Sequence, residues 1–327
     1  MARRRLTDGM RTVSLSLCMA AALLAPGCKS RKQPVTTSIE RISVNLPPEV
    51  AERESTKIVR RVNRNIDLWQ ELLLQGKPSQ AHGLRLSIAR EVDENFPVFE
   101  SVAREGEFTQ LRNLAVKGVA FASAQRAAAR ALLDLLLGDP QITIVQNAAL
   151  ALGILGDPDT DLGKLIALAG HGDVEVRTNA ASSLGKLFRL KEIPRELTQE
   201  YRVALDRLGG LMLEQTSARA RRAAVVALAN LHHPDALPLL VNALEDDDVQ
   251  VQIAGLFGLR DLADQRALEP VLQYLRGNPS EAGASWAVEV LVRIALEGGF
   301  TKEPAELESL GANAGAWKSW FEKARTR

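Results

Sequence analysis

One block of residues returns along this chain every 31 to 32 positions, with one longer gap, and that period constrains the fold more than any other feature. The block reads Val176-Arg177-x-x-Ala180-Ala181-x-x-Leu184-Gly185-x-Leu187. It occurs earlier as Ile144-Val145-x-x-Ala148-Ala149-x-x-Leu152-Gly153-x-Leu155-Gly156-Asp157-Pro158. Later copies run from Ala220-Arg221 to Leu231 and from Val251-Gln252 to Leu262, and a worn copy keeps Gly283, Ala287, Leu291 and Ile294. The leucines Leu152, Leu184, Leu228, Leu259 and Leu291 lie 32, 44, 31 and 32 apart. A fixed period of this size signals stacked supersecondary units rather than a globule around one centre. Function is then to be sought on a surface rather than in a pocket.

Within one copy Val176, Ala180, Leu184 and Leu187 fall on one stripe of an α-helix. Turn formers follow: Gly156-Asp157-Pro158, His232-His233-Pro234 and Asp264. A second short apolar stretch comes after each turn, at Leu162–Ile166, Leu237–Val241 and Leu268–Leu272. Pro238 and Pro270 stand near its start, where a missing N–H costs nothing. The unit is an antiparallel helix pair, and small residues such as Ala148, Ala180, Ala224 and Gly255 let neighbouring helices approach. One pair cannot bury its apolar face, so stacking supplies the core. The long gap holds Glu192-Ile-Pro-Arg-Glu and a longer helix through Tyr201, Leu205, Leu208 and Leu211. Leu111, Arg112, Ala115 and Val119 fit an earlier copy, and residues 84–92 a still earlier one. Pro48 to Gln75 reads as one long helix with Val59, Val62, Ile66, Trp69 and Leu73 on its stripe.

The string Val-Arg-x-x-Ala-Ala-x-x-Leu-Gly-x-Leu-Gly-Asp-Pro resembles the HEAT-like repeats also found in phycobilin lyases. The resemblance covers roughly residues 108–296 and is clearest over 142–276. It implies an all-α fold, a right-handed α-solenoid of about five or six stacked antiparallel HEAT-like helix pairs. It is specific for fold and nearly silent about activity. It also implies that the Arg after the Val pairs with turn acids in a ladder along the stack. Arg112, Arg177 and Arg221 match that pattern; Val145, Gln252 and Ala284 depart from it, so the ladder is expected to be broken.

The start of the chain reads differently. Arg3, Arg4, Arg5 and Arg11 precede an apolar run from Val13 to Leu24, too short to span a membrane. This is the pattern of a secretory signal. Gly27-Cys28 resembles the lipobox of bacterial lipoproteins, whose cysteine is acylated, although Ala25 and Pro26 are atypical there. Ordinary secretion to a soluble periplasmic or extracellular form is the alternative. With Cys18 removed and Cys28 lipidated, no thiol remains for disulfides, catalysis or metal ligation. The expected organisation is a signal peptide at 1–27, a lipidated cysteine and tether at 28–47, and a helical cap with a degenerate repeat at 48–107. The repeats follow at 108–299, and a C-terminal cap carrying Trp317, Trp320 and Phe321 at 300–327. Localisation is expected in a bacterial cell envelope, held to the membrane by the N-terminal lipid, with the periplasm-facing or outer-membrane side left open.

Composition narrows the function classes. Basic and acidic side chains number 41 and 40; removing residues 1–27 takes away four Arg and one Asp, leaving 37 against 39. That balance, with aromatics at 4%, argues against nucleic acid. No catalytic constellation, cofactor loop or metal set stands out. His232-His233 reads as a solvated turn without a third metal ligand, and His171 as another turn residue. Glu245 to Asp248 reads as a turn favouring the next helix N-terminus rather than a calcium loop. Helical angles place Gln146, Thr178, Arg222 and Ile253 on an outward row, with Leu150, Ser182, Val226 and Phe257 beside it. We take Gln146, Thr178, Ser182, Arg222, Ile253 and Phe257 as the candidate protein-binding face on the concave side. The expectation is a non-enzymatic scaffold, without a cofactor, for protein or peptide partners. The alternatives are a lyase-like or enzyme-accessory protein, and a cell-wall-binding lipoprotein using Trp317 and Trp320.

Overall fold

Helix ends set the rhythm of the structure. The computed structural model describes residues 47–51, 53–301 and 303–326; the expected signal segment, Cys28 and the tether as far as residue 46 lie outside them. Among the described residues there are helices and no strand. They fall into two compact units, divided after Ala124.

The first unit holds α1 (Pro48–Ala51), α2 (Glu54–Leu74), α3 (Pro78–Glu94), α4 (Phe96–Glu105) and α5 (Thr109–Val119). The helix expected from Pro48 to Gln75 is therefore two helices, because Arg53 takes an extended backbone and caps α2. Val59, Val62 and Ile66 are buried as their stripe requires. Asn63 donates to the Leu114 carbonyl at 2.8 Å, tying α2 to α5. Arg85 lies 5.2 Å from the Phe121 ring centre, and Phe121 meets Trp69 edge-on.

The second unit is a stack of helix pairs: α6 (Arg126–Leu136) with α7 (Ile142–Leu155), α8 (Gly163–Leu168) with α9 (Val174–Phe188), and α10 (Gln199–Leu211) with α11 (Ala218–Leu231). Then come α12 (Leu237–Asn242) with α13 (Val249–Leu262), and α14 (Leu268–Arg276) with α15 (Glu281–Glu297). The short α16 (Ala305–Glu308) and α17 (Ala314–Ala324) end the chain, α17 against α14. The repeated helices α7, α9, α11, α13 and α15 pack in series, each on the next. This is an α-solenoid. Ile144, Leu152, Val176, Leu184, Leu187, Leu228, Leu256 and Leu291 are fully buried in it. Burying one such side chain contributes about 1.5–3 kcal/mol, so each pair depends on its neighbours for its stability.

The small residues work as expected. A methyl group built on Gly153 would lie 2.6 Å from the Ser183 Cα, and one on Gly185 3.0 Å from the Ala227 Cα. Backbone meets backbone at these two crossings. Ser183 uses the closeness to donate to the Ala149 carbonyl at 2.6 Å.

Starts and stops are equally regular. Asp173, Ser217, Asp248 and Ser280 cap α9, α11, α13 and α15 by accepting backbone N–H groups. Helices α7, α11 and α13 end in left-handed residues, Gly156, His232 and Ala263, at φ of 61°, 50° and 48°. The next residue turns the chain by accepting the N–H two positions on. Asp157 and Asp264 use a carboxylate oxygen, at 3.0 and 2.8 Å, and His233 uses Nδ1, at 3.2 Å. His233 is thus not the solvated turn residue expected. It is buried, its Nε2 sits 2.9 Å from the Arg195 carbonyl of the inserted segment, and it substitutes for the turn Asp.

The ladder of ion pairs is interrupted at Val145, Gln252 and Ala284 as expected, and neutral polar groups bridge the first two gaps. Arg177 pairs with Glu214 in the turn before α11, and Arg221 pairs with Asp246 at 2.7 and 2.9 Å in the turn before α13. Gln252 continues it without charge, donating to the Asp246 carbonyl at 2.7 Å and accepting from the Tyr274 hydroxyl at 2.9 Å. Upstream, where Val145 departs from the pattern, its neighbour Gln146 donates to Asp173 at 3.0 Å. Like Arg221 with the Glu214 carbonyl, Gln252 takes a carbonyl of the turn before its own helix, so that part of the rung needs polarity and not charge. Within the acidic run, Asp248 caps the α13 N-terminus as the turn reading expected, while Asp246 is held by Arg221 and largely shielded from solvent.

Two consequences are measurable. Replacing Gly153 by Ala must separate α7 from α9, and thermal unfolding followed by circular dichroism should show a loss of about 1–3 kcal/mol. An unchanged melting temperature would mean these backbones are not in contact. The second concerns pH. At Asp246 burial pushes the carboxyl up, but hydrogen bonds from Arg221 and the Asp248 N–H outweigh it, and the group titrates below its ordinary 3.8. At Asp173 burial is likewise outweighed by hydrogen bonds from the Val176 N–H and the Gln146 amide. A depressed folded value gives stability that is present above the ordinary value and lost as pH falls through the folded one. Stability should therefore hold from about pH 7 to about pH 5 and drop below about pH 4. Asp246→Asn should cost about 1–2 kcal/mol at neutral pH and flatten that acid slope.

Candidate functional site

The face carried by α7, α9, α11 and α13 divides the expected site residues into two groups. Gln146, Thr178 and Ser182 are spent within the fold. Gln146 holds Asp173, as above. Thr178 is buried, contrary to its expected place on an outward row, and donates to the Val174 carbonyl of its own helix at 2.7 Å. Close packing of α9 between its neighbours leaves that position no surface. Ser182 is half-buried and donates to the Thr178 carbonyl at 2.8 Å, the usual resort of a hydroxyl inside a helix.

Arg222, Ile253 and Phe257 keep access to solvent, and all three are half-buried. The repeat offset of 31 sets Ile253 beside Arg222 and Phe257 beside Val226 on adjacent helices, and Val226 is 38% exposed. Trp286 on α15 extends this strip, its ring meeting Phe257 edge-on at 6.0 Å. Arg260 lies over both rings, 4.6 Å from Phe257 and 5.1 Å from Trp286, which is cation–π distance. Its charge is met by Asp261 at 2.6 Å and Glu289 at 3.5 Å. One helix back, Arg219 bridges Glu175 at 2.6 Å and the Asn179 side chain at 3.2 Å.

Arg222 differs from both arginines. It makes no hydrogen bond or ion pair with any described residue. Burial depresses its guanidinium value; Asp248 partly compensates and Arg219 adds to the effect. An arginine remains charged under such a shift, so five donors stand partly desolvated with no acceptor.

Trp286 and Arg260 were missed by sequence reasoning. Arg260 was legible, lying three positions after Phe257 and so on the same helical face. Trp286 was not, because the repeat offset of 32 continues Phe257 to Glu289 and Ile253 to Ser285, and Trp286 falls on neither column. At the C-terminal end Trp317 is fully buried and gives its indole N–H to the Gly311 carbonyl at 2.7 Å, so it has no face for a sugar. Trp320 and Phe321 pack against it. On the side of the partner helices, α8, α10 and α12 leave a recess of about 700 Å³ edged by Leu205, Arg207, Leu213 and Leu239. Among the described residues no group of three or more His, Cys, Asp or Glu is placed to hold a metal ion, and no helix is long and apolar enough to cross a membrane.

Known proteins bear on this arrangement mainly through the repeat. Comparison with curated proteins found no match. Two similar solved structures are crystal structures of engineered proteins. One is 19% identical, covering 68% of this chain and 97% of that one, with a TM-score of 0.44. The other is 16% identical, covering 83% and 82%, with a TM-score of 0.49. A third, the complex of CpcE and CpcF of phycocyanin lyase from Nostoc sp. PCC7120, is 22% identical, covering 67% and 94%, with a TM-score of 0.35. At such scores these likenesses carry no functional argument. The description HEAT repeats matches residues 96–185 and 205–292, and the stretch between them contains the irregular insertion that precedes α10. That match takes in more than half of the sequence, from α4 through most of α15, and the chain belongs to the HEAT-repeat family.

Proposed function

We propose that this protein is a non-enzymatic scaffold of the bacterial envelope that docks partner proteins on the α11–α13–α15 face. The observation that carries the reading is the strip of Val226, Ile253, Phe257 and Trp286, apolar and solvent-accessible, beside Arg222, which makes no hydrogen bond or ion pair among the described residues. Aromatic and arginine side chains presented together are what partner-binding surfaces concentrate. Stacked helix pairs display such a strip across several helices at once. Attachment at Cys28 rests on the basic start, the apolar run Val13–Leu24 and Gly27-Cys28. Several acyl chains on one residue would hold the protein stably at a membrane, at about 0.8 kcal/mol per buried CH₂.

The two parts are tested separately. Labelled palmitate should enter the wild type in its host and fail to enter Cys28→Ala; equal labelling would remove the anchor. A photocrosslinking residue at Val226 should trap a defined partner in intact envelopes. One at Leu213, which is 79% exposed on the other side of the pairs, should not. Capture of nothing at Val226, or of the same proteins from both positions, would sink the docking face.

A further inference from the structure

We infer that the partner segment docking beside Arg222 carries a carboxylate followed, or preceded, by apolar side chains. The inference rests on the scaffold reading and specifies its ligand. Its ground is a difference between three arginines on neighbouring turns of one surface. Arg219 is satisfied by Glu175 and Asn179, and Arg260 by Asp261, Glu289 and two ring faces. Arg222, between them, is half-buried and makes no hydrogen bond or ion pair among the described residues, and Asp248, whose charge acts on it, is spent on the α13 N-terminus. Desolvating a guanidinium without an acceptor costs free energy that the fold does not recover. An incoming carboxylate would accept two parallel N–H groups from it, and the desolvation would already be partly complete.

The neighbours determine what else the segment needs. Ile253 lies beside Arg222 on α13, and Phe257 lies beside Val226 one turn further along both helices. Trp286 carries the strip onto α15. Packed helices lie about 8–10 Å apart, so the path from α11 to α15 is about 20 Å long. An extended chain of about six residues covers it, with alternate side chains turned to the surface. A basic segment fits poorly, since it would set like charge against Arg222, while Asp261 and Glu289 are already engaged by Arg260 and Asp248 by the α13 N-terminus. The charge therefore selects an acidic end, and the strip selects an apolar one.

The probe is a fluorescein-labelled ten-residue peptide with glutamates at one end and alternating leucine and phenylalanine after them, made also in the reverse order. The control carries lysines in place of glutamates. Fluorescence anisotropy with the full chain in detergent should show a glutamate peptide binding at least about tenfold tighter than the lysine peptide, and more tightly as salt is lowered. Arg222→Glu should abolish that preference and Arg222→Lys retain part of it, since a lysine keeps the charge without the fork. Circular dichroism checks that each variant is folded. Equal binding of glutamate and lysine peptides, or binding indifferent to Arg222→Glu, overturns the inference, as does absence of binding by either at about 1 mM. If Phe257→Ala and Val226→Glu still weaken binding in those cases, the docking face stands and only the acidic partner falls. If they do not, the face falls with it.

Discussion

Backbone contact between successive helices is the constraint on which this structure depends. Helices α7, α9 and α11 meet at Gly153 against Ser183, where even a methyl group would collide, and at Gly185 against Ala227, where it would fit only tightly. Such closeness is what allows a pair with only a narrow apolar stripe to be buried by its neighbours on both sides. The same closeness turns Ser183 and Asn179 into ties between helices. Each reaches a carbonyl of α7, Asn179 at 3.0 Å to Gln146, because that carbonyl is within a short side chain's span.

The polar ladder follows from the same geometry. Once helices stand at a fixed separation, the turn before each one presents a carboxylate or carbonyl to the helix behind it. Gln146, Arg177 and Arg221 use these carboxylates in turn, and Gln252 reaches back to the carbonyl of the turn before its own helix. The position tolerates an amide because the partners include carbonyls as well as carboxylates. His233 illustrates the same tolerance at the turns. An imidazole nitrogen can accept the N–H that Asp157 and Asp264 accept elsewhere, while its second nitrogen gains a contact to the insertion. Repeat positions are thus conditions on hydrogen bonding rather than on residue type.

The surface that remains is a by-product of this regularity. Residues on the inward stripe are consumed by stacking, and residues at the helix starts by caps and rungs. What is left on α11, α13 and α15 is a strip of large apolar side chains, with two satisfied arginines and one that is not. Nothing in the repeat itself calls for Phe257, Trp286 or Arg222, which is why they mark the place where this chain departs from a generic stack.

Period and helical spacing were properties of the sequence alone. They determined the helix pairs, the family and nearly all of the buried stripe, because the spacing of apolar residues along a helix is local and does not depend on the rest of the fold. Turn chemistry at Gly156, Asp157 and Asp264 was legible for the same reason. Exposure was not. Helical angle placed Thr178 and Arg222 on one row, yet one is sealed and the other half-open, because how far each neighbouring helix covers a position is decided only when the helices pack. The contact of Gln252 was missed and His233 misread on similar grounds: what they bond lies 22 and 38 residues away in sequence, at Tyr274 and Arg195, and becomes a neighbour only through the stack.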